Sequence, residues 1–81
     1  MKYVVTWQPS AEDKLTRLWM QASDRKAVEQ TANRIDQILT HAPETKGQDF
    51  YGDWILVVDP LQIVYKVEPN DLSVTVLDVW M

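Results

Sequence analysis

His41 is the only histidine in this sequence. A lone imidazole works as a base or a ligand only when other groups orient it, and the residues around His41 offer no such partner. It is expected in the last turn of a helix, where a cation interacts favourably with the dipole, so its expected role is structural. The carboxylates Glu12-Asp13 and Asp49/Asp53 are too dispersed to form a cation site, and Glu12 and Asp13 suit the start of a helix. Two glycines cannot build a phosphate cradle, and neither a P-loop nor a nucleophile elbow is present. With no cysteine there is no disulfide and no thiolate. Neither a cofactor nor a metal is expected.

Charge narrows the partners. The net charge is −4, from eight basic and twelve acidic residues. Nucleic-acid binders carry a basic face because phosphate neutralisation drives their affinity, whereas the cations here are scattered. Arg25-Lys26 with Arg34 could form a short basic stripe or simply a solvated helix face. Strong direct binding to nucleic acid is not expected. Four tryptophans, Trp7, Trp19, Trp54 and Trp80, are many for 81 residues. Large aromatics supply core burial in a small domain, and they also serve as hot spots for protein partners. Trp19, beside an apolar helix stripe, and Trp80, near the C-terminal end, are the foremost partner-binding candidates, followed by Trp54 and Lys66.

The elements that must position these residues follow from periodicity. Lys2 to Trp7 is β-branched and aromatic and reads as a strand that Pro9 ends. Ser10 with Asp13 has capping-box spacing, and Ala11, Leu15, Leu18 and Ala22 make one helical stripe to about Ala22. Ser23 or Asp24 caps a second helix with its own stripe from Val28 to Ala42, stopped by Pro43. Residues 44–52 read as a loop. Strands follow over about 54–58, 61–67 and 72–80, separated by the turns at Asp59-Pro60 and Glu68-Pro-Asn-Asp71. The fold class is α+β, in the order β-α-α-β-β-β, with an antiparallel sheet and a two-helix hairpin packed on one face. Alternation places Leu61, Ile63, Tyr65 and Val67 on one sheet face, and Gln62, Val64 and Lys66 on the other. In the last strand it groups Leu72, Val74, Val76, Asp78 and Trp80. Residues 1–81 are expected to form one domain, cytoplasmic, with no signal peptide or membrane span.

Several of these residues carry a resemblance over nearly the whole chain. The β-α-α-β-β-β order, the Pro9-Ser-Ala opening of the first helix, the Leu39 to Pro43 end of the second, Pro60-Leu-Gln-Ile-Val-Tyr-Lys-Val67 and Val74-Thr-Val-Leu-Asp-Val-Trp80 look like the RelE/ParE toxin (plasmid stabilisation) superfamily. The resemblance implies a bacterial type II toxin-antitoxin protein, held inactive by an antitoxin that wraps it. RelE-like members are ribosome-dependent mRNA endonucleases, and ParE-like members inhibit DNA gyrase, so ribosome or gyrase is the implied target.

Where RelE-like members carry basic residues that stabilise the transition state of phosphodiester cleavage, this chain departs. The arginine expected before Ile63-Val-Tyr65 is Gln62, the lysines expected on the preceding strand fall on Asp53 and Ile55, and the C-terminal basic and tyrosine residues would lie past Met81. The catalytic candidates that remain are Lys66, Gln62 and Tyr65, with Tyr65 on the core-facing side. The leading expectation is a toxin-like subunit bound by an antitoxin and lacking nuclease activity. The alternatives are an active ribosome-dependent endonuclease and a repurposed protein-binding module.

Overall fold

A computed structural model describes residues 2–81; Met1 lies outside the described residues. The elements are β1 (Val4–Trp7), α1 (Pro9–Gln21), α2 (Arg25–Leu39), β2 (Gln48–Phe50), β3 (Asp53–Val58), β4 (Leu61–Glu68) and β5 (Ser73–Trp80), with single 3-10 turns at Pro43–Thr45 and Pro69–Asp71. The α+β class and the order of the expected elements are as read from the sequence, with one strand added.

Local chemistry sets the helix ends. α1 begins one residue before the expected cap: Gln8 is the N-cap and makes no side-chain cap bond. Pro9 supplies a pre-set φ at the first helical position, and Glu12 N–H donates to the Gln8 carbonyl at 2.9 Å. Ser10 is therefore inside the first turn. α2 is capped by Asp24, whose Oδ1 accepts from Ala27 N–H at 3.0 Å. It ends at Leu39, where the Thr40 hydroxyl donates to the Asp36 carbonyl at 2.7 Å. His41 thus lies beyond the last turn, because Pro43 disfavours helical geometry at Ala42, which takes a left-handed φ of 43°.

The sheet order is β1-β5-β4-β3-β2. β3, β4 and β5 form the expected antiparallel meander, but β1 pairs with β5 in parallel, Val4 opposite Ser73 and Trp7 opposite Val76, so the sheet is mixed. Only short links force antiparallel neighbours, and most of the chain separates β1 from β5. β2 occupies the expected loop. The Tyr51-Gly52 turn, with φ of 52° and 91°, folds Phe50 back against Asp53, and three exposed residues pair with β3. Their polar composition hid the strand.

One core joins both helices to one sheet face: Ala11, Val28, Ile35 and Leu39 against Leu61, Ile63, Tyr65, Val74, Val76 and Val79. A β-bulge changes the expected alternation of β5. Tyr65 pairs with Val76 but Val64 pairs with Asp78, leaving Leu77 extra. The shift puts Val79 in the core and sends Asp78 and Trp80 to the opposite face, which spares the core a carboxylate.

Tyr65 is fully buried, and its hydroxyl donates to the Pro43 carbonyl at 2.7 Å. Gly47 lies over it: a Cβ there would sit 2.7 Å from the Tyr65 hydroxyl and 2.6 Å from the Ile55 carbonyl. Gly47→Ala is expected to cost about 1–3 kcal/mol through overpacking, lowering the melting temperature in a calorimetric scan. Burial pushes the Tyr65 phenol up to about 12 from 10.0. The folded state therefore keeps a proton that the unfolded chain has lost, so stability should fall as pH rises from 10.0 towards 12. Urea titrations across that interval should show a shallower fall for Tyr65→Phe.

Candidate functional site

Among the described residues no helix or strand packs over the sheet face away from the core, and pairing aligns its side chains in rows. Val57, Gln62 and Trp80 make one row; Gln48, Ile55, Val64 and Asp78 make the next; Thr6, Thr75 and Lys66 form a third. Gln62 and Lys66 thus share this face with Trp80, and Trp80 stands directly opposite Gln62. Asp53 and Ile55, the positions where the resemblance expects lysines, also belong to this face.

Tyr65 does not join them. It points into the core with its hydroxyl committed to Pro43. Trp54 pairs with Tyr65 and packs on the covered face, and Trp19 lies on α1, where the Arg25 guanidinium stacks 5.0 Å from its ring. The tryptophans therefore mark three separate surfaces. Trp19 borders an apolar cleft of about 190 Å³ between the helices, with Leu15, Val28 and Ala32. Trp7, by contrast, is structural: its indole N–H donates to Asp36 Oδ1 at 2.8 Å and ties β1 to α2.

Among the described residues, Lys66 and Lys14 at the open face are each matched by a carboxylate, while Lys46 lines a hollow beside the open-face residues Gln48, Ile55 and Val57. Lys66 Nζ lies 3.5 Å from Glu68 Oε1. Lys14 reaches across from α1 to Asp78 at 3.1 Å, with its ammonium 5.6 Å from the Trp80 ring centre. Asp78 Oδ1 also accepts from Val79 N–H at 2.8 Å. Exposed pairs of this kind add about 0–1 kcal/mol to stability. Their larger effect is on the field, because a phosphate entering here must displace a carboxylate from each ammonium. The face suits contact with a protein better than stabilisation of a phosphodiester transition state. Lys14 was not foreseeable, since 64 residues separate it from Asp78. Among the described residues no group of three or more His, Cys, Asp or Glu is placed to hold a metal, and no helix is long and apolar enough to cross a membrane.

The architecture is that of the RelE toxins. A chain of the RelBE2 toxin-antitoxin complex from Mycobacterium tuberculosis superposes with a TM-score of 0.78 at 15% identity, covering 99% of this chain and 91% of that one. The free Escherichia coli RelE toxin, in a mutant form, gives 0.70 at 18% identity, covering 98% and 82%. The intact E. coli RelBE complex gives 0.64 at 17% identity, covering 95% and 93%. No family model and no curated protein matches the sequence. The chain has the RelE fold, and at these identities the likeness is one of fold.

The paired charges make a prediction. The native protein should show no salt-dependent binding to a single-stranded RNA oligonucleotide in fluorescence anisotropy at physiological ionic strength. Gln62→Arg combined with Glu68→Gln adds one cation and frees another on the same face. It should bring measurable binding that weakens steeply as salt is raised.

Proposed function

We propose that this chain is the toxin-like subunit of a type II toxin-antitoxin pair, that a cognate antitoxin binds it, and that it lacks the RNA cleavage of RelE-like endonucleases. The carrying observation is a RelE fold over nearly all of the chain whose open sheet face has Lys66 and Lys14 each paired with a carboxylate. The solved relatives RelBE2 and RelBE are themselves toxin-antitoxin complexes, which supports an antitoxin as the partner. Residues 1–81 act as one domain in the cytoplasm in this reading. The cleft beside Trp19 and the Trp80 end of the open face are the surfaces offered to the antitoxin, each combining an aromatic ring with apolar neighbours. DNA gyrase remains a target consistent with this reading, because gyrase inhibition does not use the missing basic set.

Induced expression in a bacterial host, with and without the neighbouring open reading frame, tests the proposal when growth and total RNA are followed together. The expected outcome is arrest relieved by the neighbour, with cellular mRNA intact. Messenger cleavage that disappears in Lys66→Ala would instead make the protein an endonuclease built on Lys66 and Gln62. Normal growth at confirmed soluble expression would make it a repurposed binding module.

A further inference from the structure

The β2–β3 hairpin ends in an aromatic pair that no packing requirement explains. Tyr51 is 94% exposed and Phe50 41% exposed, and their rings meet edge to face with centres 5.0 Å apart. Tyr51 takes a φ of 52° at a turn position that Asn, Asp or Gly fills at lower cost. A bulky ring in left-handed geometry, almost wholly in water, gains nothing from the core, which leaves binding as its evident use.

The surroundings specify the chemistry. Asp53 stands directly opposite Phe50 across the hairpin, so a carboxylate lies beside the Phe50 ring, which Tyr51 meets edge to face. Asp49 is exposed on the same three-residue strand, but it pairs with Trp54 and so lies on the other face of the hairpin. Neither carboxylate takes part in an ion pair among the described residues, and Lys66 and Lys14 of the open face are engaged with Glu68 and Asp78. An aromatic face beside an unpaired carboxylate fits a guanidinium, which stacks flat on the ring and forks two N–H groups onto the oxygens. The chain already uses half of this arrangement within itself, where Arg25 stacks on Trp19. The same negative charge opposes a nucleic-acid backbone.

We infer that the Phe50-Tyr51-Gly52-Asp53 tip is a docking point for an arginine-bearing segment of a protein partner. This goes beyond the toxin reading and stands whether or not expression arrests growth. It concerns a surface distinct from the Trp19 cleft and from the Trp80 end of the open face.

The test is amide-resolved NMR titration of the whole protein with hexa-arginine, hexalysine and heptauridylate probes at physiological salt. Hexa-arginine should shift the amides of 49–53 selectively, with a Kd about two- to fivefold tighter than hexalysine, because only the guanidinium stacks flat on the ring while it forks onto the carboxylate. Tyr51→Asn should abolish that preference while leaving the melting temperature unchanged or higher, because Asn tolerates the left-handed φ. Asp53→Asn should weaken hexa-arginine binding and leave the fold intact. Equal affinity for the two cationic peptides, shifts spread over the whole acidic surface, or a preference that survives in Tyr51→Asn would each overturn the assignment. So would larger shifts of the tip with heptauridylate, which would mark a base-stacking platform, or shifts that follow protein concentration alone, which would mark contact between copies.

Discussion

A phenol in the middle of a small core must find an acceptor, and the bond from Tyr65 to the Pro43 carbonyl meets that need at 2.7 Å. Much else depends on it. The bond pulls the segment after α2 onto the sheet, so the chain turns through the left-handed Ala42 into a single 3-10 turn. Gly47 must then pass over the ring with no side chain, close to the Ile55 carbonyl. That path delivers Gln48–Phe50 alongside β3 as the edge strand. At the opposite edge, the Trp7 indole bound to Asp36 and the Tyr3 amide bound to the Thr40 carbonyl moor β1 to α2. Two buried or half-buried aromatics with polar tips therefore decide how the helices lie against the sheet.

The bulge in β5 divides the chemistry between the two faces. A regular strand would have taken Asp78 and Trp80 into the core with Val74 and Val76. One extra residue reverses that, keeps Val79 inside and sets a carboxylate on the open face within reach of Lys14. The open face consequently carries charges of both signs and no net excess of cations. A fold shared with the RelE toxins does not fix the charge of this face, because backbone topology constrains where side chains point and leaves their charge free.

In the proposed reading, aromatic rings at three sites offer contact to other molecules: Trp19 at the helix cleft, Trp80 on the open face and the Phe50-Tyr51 tip at the sheet edge. Their separation suits a partner that wraps the domain more than a ligand held in one cavity. The acidic character of the tip and the paired cations of the face both favour protein surfaces over phosphate.

The sequence by itself determined the helices, the three meander strands and most of the core, since these are carried by local periodicity, by Asp24 at a cap and by prolines at ends. It also placed Gln62 and Lys66 on one face and Tyr65 on the other, because alternation within β4 is regular. It could not reveal the parallel pairing of β1, which joins residues some 70 positions apart and is chosen by the global path of the chain. It hid β2, whose polar residues become a strand through a turn lacking the usual Asn-Gly signal and through the Tyr65 contact that positions the approach. It misassigned Asp78 and Trp80, since a bulge depends on what the neighbouring strand and the core accept. The meeting of Lys14 with Asp78, like the lack of cover over Phe50 and Tyr51, is long-range geometry that only the tertiary structure decided.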